Sequence, residues 1–206
     1  MHGNLNIDYV NNIVNTELPE YKARIAAINL NVNNLTTPEY NILFKTEKFY
    51  EYIPTEIFLI FQTDTFIIEE NKELINEFLE YDYVGAPWGE TYLPEYSIHE
   101  YNAVGNGGLS LRKKSKMLQI LEKNKETKLF KNMNEDICFS LQKNVEVKKP
   151  DFEKAKHFSV ETIFSEKTFG IHCPWRWLSN EHMIYLINMD KNILKLIEYN
   201  NVKYEL

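Results

Sequence analysis

The 206-residue chain has no apolar run approaching the ~20 residues that a membrane helix needs, so no spanning segment is expected. Cysteine is nearly absent. Cys138 and Cys173 belong to no Cys-x-x-Cys pair, so neither a disulfide framework nor a zinc knuckle is encoded, and a reduced intracellular protein is the expectation. Positive charge is short as well. Thirty acidic residues against 23 basic ones leave a net charge of −7, which argues against a nucleic-acid partner, because phosphate binding needs a surplus of positive charge on some face. Met1-His2-Gly3-Asn4 lacks the basic start and apolar stretch of a secretory leader, so a cytoplasmic location is expected. No repeat, low-complexity tract or Gly/Ser linker marks a boundary, and a single domain over residues 1–206 is expected. Glycine is scarce, and its placement is therefore informative. Six of the seven glycines lie between residues 85 and 170, and Gly105, Gly107 and Gly108 fall within four residues. Glycine is costly unless the backbone needs positive φ or a close approach, so backbone geometry is special in the middle of the chain.

What is present suffices for a core. Hydrophobic residues make up 44% and aromatics 14%, a globular composition, and folding should bury roughly 70% of the unfolded surface. Leu5, Tyr9, Val10, Ile13 and Val14 share one face at helical spacing. Arg24 to Leu30 is short and apolar, a plausible strand. Thr36-Thr37-Pro38-Glu39 has the spacing of a capping box with proline in the first turn. Glu56 to Phe61 is nearly continuously apolar, the mark of a strand covered on both faces. Helices are expected over about 72–81, 113–125, 135–142 and 181–199, and strands at 83–84, 108–111 and 158–164, with residues 85–104 irregular. Strands and helices interleave, which favours an α/β sheet sandwiched by helices.

Several segments carry residues suited to chemistry. Phe61-Gln62-Thr63-Asp64-Thr65 puts a carboxylate at the C-terminal end of a strand, where α/β sheets bind ligands, although a turn aspartate is common there. Gly105-Asn106-Gly107-Gly108 is longer than a two-residue hairpin requires. It is either a backbone laid against a ligand or a bulge, and it lacks the signature of a phosphate loop. Asn134-Glu135-Asp136 opens a helix, where capping and the helix dipole alone would favour these residues. His172, in Phe169-Gly170-Ile171-His172-Cys173-Pro174-Trp175, is either a metal ligand or a packed histidine, and nothing marks Cys173 as a nucleophile. Tyr81 to Trp88 could form a sugar-stacking wall or a rigid aromatic turn.

Taken in order, FQTDT, YDYVGAPW, GNGGLSLR, NED, FSVE and FGIHCPW resemble a family catalogued as a domain of unknown function, found in bacteria, fungi and large DNA viruses, that looks like a GT-A glycosyltransferase. The resemblance is strongest over residues 40–177. It implies a GT-A-like nucleotide-diphospho-sugar transferase fold, with a mixed sheet flanked by helices, and a metal-dependent transfer of a sugar from a nucleotide-sugar donor to a hydroxyl of a carbohydrate or protein acceptor. By the same resemblance, Gln62-Thr63-Asp64 corresponds to the acidic DxD motif. Asp64 and His172 would be ligands of Mn²⁺ or Mg²⁺, and Gln62 replaces the acid that lies near the ribose. Gly105, Asn106, Gly107 and Gly108 would line the donor or acceptor. Glu135 and Asp136 belong to the catalytic acidic motif, with Asp136 as the base and inversion as the outcome. In such folds a first strand grips the nucleotide; here it is either missing or supplied by Arg24 to Leu30. A non-catalytic binding module with a degraded nucleotide site is the alternative. A two-metal phosphoesterase would need more clustered ligands than the sequence offers. If the gene is viral, the host cytoplasm is the expected location.

Overall fold

The computed structural model describes residues 1–89, 103–200 and 202. The chain divides into two compact units, Met1–Phe44 and Lys45–Leu206, a division that its composition does not announce.

In the first unit, the amphipathic opening forms a short helix, α1 (Ile7–Asn12), which loosens into a π-helical turn over Ile13–Glu17. The strand expected over Arg24 to Leu30 does not form. Only an isolated bridge joins His2 to Asn29, with the Leu30 N–H donating to the His2 carbonyl at 3.0 Å. Asn31 then takes a positive φ of 57°, which turns the chain out of an extended course before a ladder can grow. The capping box does form. The Thr36 N–H and hydroxyl both donate to Glu39 Oε2, at 2.8 and 2.7 Å, and open α2 (Thr37–Phe44).

Among the described residues, the second unit is an α/β structure with two three-stranded sheets in place of the single mixed sheet expected. The first sheet has the order β1-β4-β3 and is antiparallel: β1 (Ile57–Phe61) and β3 (Tyr83–Gly85) flank β4 (Leu109–Lys113), with Leu59 and Val84 both opposite Leu111. The second sheet has the order β2-β6-β5. There β2 (Thr65–Ile67) runs antiparallel and β5 (Ser159–Val160) parallel to the central β6 (Gly170–His172). The apolar run of β1 is not covered on both faces. Phe58 and Ile60 turn inward and Phe61 is 68% exposed, whereas the neighbouring β4 is buried on both faces over Leu109 to Arg112. The strand expected over 158–164 ends at Val160, and beyond it the Thr162 hydroxyl engages the segment that follows β3. That hydroxyl donates to the Pro87 carbonyl at 3.1 Å and accepts from the Gly89 N–H at 3.0 Å.

Helices α3 (Glu47–Glu51), α4 (Lys114–Asn124), α5 (Lys128–Asn132), α6 (Glu135–Leu141) and α7 (Phe152–Ala155) surround the first sheet in sequence, and a 3-10 helix over Glu69–Phe78 replaces the helix expected at 72–81. The long C-terminal helix expected over 181–199 is two, α8 (Asn180–Met189) and α9 (Asn192–Tyr199). Asp190 separates them in an extended conformation, its carboxylate accepting from the Asn192 N–H at 2.9 Å. Met183, Leu186, Ile187, Ile193 and Ile197 of these helices pack on Val160 and Ile171 of the second sheet. Phe78, Val84, Leu109, Leu111, Phe158 and Phe169 form the other core cluster. The sheets approach closely at Gly170, where a Cβ would stand 2.6 Å from Leu109 Cδ2. Within the irregular stretch expected at 85–104, residues 90–102 lie outside the described residues; Ala86, Trp88, Ala103 and Val104 are fully buried.

Candidate metal and catalytic site

The ends of β1 and β6 and the glycine loop meet at one place. The Gln62 N–H donates to the Gly108 carbonyl at 2.9 Å and the Thr65 hydroxyl to the same oxygen at 3.1 Å. The antiparallel register sets Thr65 opposite His172, and one residue on, the Cys173 N–H donates to the Asp64 carbonyl at 3.0 Å. His172 Nε2 thereby stands 3.3 Å from Asp64 Oδ1 and 3.2 Å from Gln62 Oε1. On its other side, Nδ1 is 3.2 Å from Glu161 Oε1. The Cys173 thiol lies 3.7 Å from that same oxygen and 3.8 Å from Nδ1.

The glycine loop packs against this cluster. A Cβ on Gly108 would fall 2.1 to 2.3 Å from three atoms of the His172 ring. A Cβ on Gly107 would fall 2.6 Å from Glu135 Oε1 and 2.9 Å from Asp136 Cβ. Gly105 has a φ of +141°, and a Cβ there would strike Ser140 at 2.5 Å. The Asn106 side chain accepts from the Gly108 N–H at 2.9 Å, and the Tyr83 hydroxyl donates to the Gly105 carbonyl at 2.8 Å. These glycines are required by the protein's own side chains. The expectation that they keep a path open for a ligand is not needed to explain them.

Asp136 accepts from the Gly107 N–H through Oδ2 (3.1 Å) and from the Ile137 N–H through Oδ1 (2.8 Å). Glu135, one residue earlier, turns inward and makes a bidentate pair with Arg112, at 2.6 and 3.0 Å. Both partners of that pair are buried, and the guanidinium also lies 4.7 Å from the centre of the Tyr83 ring.

Charge is held under constraint here. Burial, and next the neighbouring Glu135 carboxylate, push Asp136 up from 3.8 to about 7, against the two backbone N–H groups that lower it. Burial opposes charge on His172, but hydrogen bonds with Asp64, Cys173 and Glu161 outweigh it and hold the imidazolium up to about 12. For Asp64, burial also opposes the charge; the His172 hydrogen bond and charge, with Arg176 further off, keep its carboxyl below the usual range. Burial raises the Cys173 thiol despite His172, so no reactive thiolate is indicated.

Of the residues proposed from sequence, Gln62, Asp64 and His172 form one group, with His172 against Gly108, while Asp136 and Glu135 lie against the adjacent Gly107. Two participants were not assigned a role from sequence. Glu161 ends the FSVE segment, and Arg112 ends GNGGLSLR; the one signal was a charged residue closing an apolar strand. Tyr83 and Trp88 are fully buried, which makes the YDYVGAPW segment an aromatic turn in the core rather than a stacking wall.

The donors suit a divalent cation. Asp64, His172 and Cys173 offer ligand atoms within 4.8 Å of one another. The 3.3 Å between Nε2 and Oδ1 lies in the roughly 3.0–3.4 Å that two neighbouring donors at ~2.1 Å from one ion require. Glu161 Oε2 is buried with no hydrogen-bond partner among the described residues, an unsatisfied polar atom of the kind that calls for an explanation.

A family model for a protein of unknown function (DUF5672) matches residues 24–172, and the chain belongs to that family. No curated protein and no solved structure matches it. No helix among the described residues is long and apolar enough to cross a membrane.

Proposed function

We propose that the protein is a metal-dependent glycosyltransferase with a GT-A-like site that moves a sugar from a nucleotide-sugar donor to an acceptor hydroxyl. The observation that carries this reading is the meeting of Gln62, Asp64 and His172, up to 110 positions apart in sequence, against a glycine loop that also contacts Asp136. Asp64 and His172, with Gln62 alongside, would hold Mn²⁺ or Mg²⁺. When bound, the cation supplies Lewis-acid neutralisation of the departing diphosphate.

The chain's own residues do the rest. Asp136 takes the proton of the acceptor hydroxyl. Its carboxyl, held near neutrality, is matched to that task, because a general base works best with a pKa near the working pH. The N–H groups of Gly107 and Ile137 fix the carboxylate's orientation. Direct attack of that hydroxyl inverts the anomeric centre. Glu135 does not face the acceptor on this reading; its pair with Arg112 holds the start of α6 under Gly107.

UDP, GDP and CMP with Mn²⁺ test this by thermal unfolding. One nucleotide should raise the melting temperature, as any ligand of the native state must. Asp64→Ala should abolish that shift. Asp136→Ala should keep the shift and lower sugar transfer by ~10²–10⁴-fold. One observation favours a second reading, a glycosyltransferase-like module that binds carbohydrate or a partner without turnover: residues 24–30 form no strand to grip a nucleotide base. No shift with any of the three nucleotides would select that reading.

A further inference from the structure

Glu161 follows β5 directly. The parallel register pairs Ser159 with Gly170 and Val160 with Ile171, and its next step sets Glu161 beside His172. The sheet itself therefore carries this carboxylate to the imidazole. Glu161 is 4% exposed, and only its Oε1 has partners among the described residues. A buried carboxylate oxygen without a donor is costly, so its retention calls for a role.

The His172 ring has two unlike sides. Nε2 faces oxygens, those of Asp64 and Gln62. Nδ1 faces Glu161 and, beyond it, the Cys173 thiol. Cys173 has a positive φ of 36°, the backbone turn that brings its sulfur to this side. Cations could in principle be held on either side: an oxygen-rich site at Nε2, or a thiol-containing site at Nδ1. Both ring nitrogens lie beside a carboxylate, and a nitrogen must give up its hydrogen before it can ligate; an ion at Nε2 would replace the hydrogen shared with Asp64, whereas Nδ1 keeps its hydrogen on Glu161.

We propose that Glu161 is a positioning residue for a divalent cation: by accepting the Nδ1 hydrogen of His172 it leaves Nε2 as the ligand nitrogen, next to Asp64 and Gln62, and keeps Cys173 out of the ligand set. The resulting donors, two oxygens and one imidazole nitrogen, suit Mn²⁺ or Mg²⁺ better than a thiophilic ion. The inference rests on the cation part of the proposed function and not on sugar transfer.

Calorimetric titration of Mn²⁺ into the full chain tests it, with Glu161→Gln, Cys173→Ser and Asp64→Asn beside wild type. Glu161→Gln should weaken Mn²⁺ binding by about 10–100-fold, the usual effect of losing the carboxylate behind a ligand histidine. Cys173→Ser should leave Mn²⁺ affinity close to that of wild type, since a side chain outside the ligand set supplies no bond to the ion. In wild-type protein loaded with Mg²⁺, ¹H–¹⁵N correlation of the His172 ring should show a hydrogen on Nδ1 and none on Nε2; this readout does not depend on any variant folding. Wild-type affinity in Glu161→Gln, a loss in Cys173→Ser as large as in Asp64→Asn, or a hydrogen on Nε2 in the loaded protein would each overturn the proposal. Mn²⁺ binding without a nucleotide shift would sink the transferase reading and leave this one standing; no Mn²⁺ binding sinks both.

Discussion

Gly108 shows how little room the site leaves. Its carbonyl is held by Gln62 and Thr65, and the place of its missing Cβ is filled by the His172 ring. Gly108→Ala should therefore cost about 1–3 kcal/mol in urea unfolding, the range for overpacking, and should also weaken Mn²⁺ binding by displacing the ring. Gly89→Ala is the control: its nearest neighbour would be Ile163 Cδ1 at 3.4 Å, an ordinary contact, and it should be near neutral. Asp136 gives a prediction in pH. Its folded pKa of about 7 lies above its ordinary 3.8, so ionising it opposes folding. The stability it contributes is complete below about 3.8 and is lost as pH rises through about 7. Wild-type stability measured against Asp136→Asn should fall across that window and level off above it. A flat difference would place the carboxyl at its ordinary value. Turnover should move the other way, rising through about pH 7 as the base ionises.

Among the elements, α6 and β4 are joined by the buried Arg112–Glu135 pair directly under the glycine loop. Removing one partner of a buried pair leaves an unpaired charge in the interior, so Arg112→Met alone should destabilise by about 3–5 kcal/mol. Replacing both, Arg112→Met with Glu135→Leu, should recover much of that loss, because apolar groups of similar volume can stand in for a buried pair. A double-mutant cycle by denaturant unfolding measures the coupling. Additive single losses would show that the pair does not work as a unit. If the pair also positions Asp136, the double variant should regain stability while transfer stays low.

For the whole second unit, the site depends on a core assembled from distant segments. Ile171 is fully buried at the centre of β6, against α8 and α9, and the next residue is His172. Ile171→Ala should cost about 2–5 kcal/mol, the range for a buried isoleucine truncated to leave a cavity. Ile184, on α8 but 42% exposed, should change stability by no more than about 0.5 kcal/mol when replaced by alanine. Equal effects at the two positions in thermal unfolding would contradict the placement of the C-terminal helices on the second sheet.

Local features were legible in the sequence because they depend on neighbours in the chain. The capping box at Thr36 and Glu39, the apolar core of β1, and the helix opened by Asn134-Glu135-Asp136 all follow from spacing within a few residues. So did the concentration of close approaches at Gly105 to Gly108. Boundaries failed at particular side chains: past the end of β5, Thr162 bonds to Pro87 and Gly89, and Asp190 accepts from the Asn192 N–H where the last helix divides. Tertiary structure alone decided which carboxylates meet which cations. Glu135 and Asp136 are adjacent in sequence, yet one is buried on Arg112 and the other faces Gly107. Glu161 carried no mark of its partnership with His172, because that contact arises from a two-residue parallel pairing that only the folded sheet creates. Spacing along the chain fixes periodicity and caps; charge partners are chosen by which strands lie side by side, and that depends on the whole core.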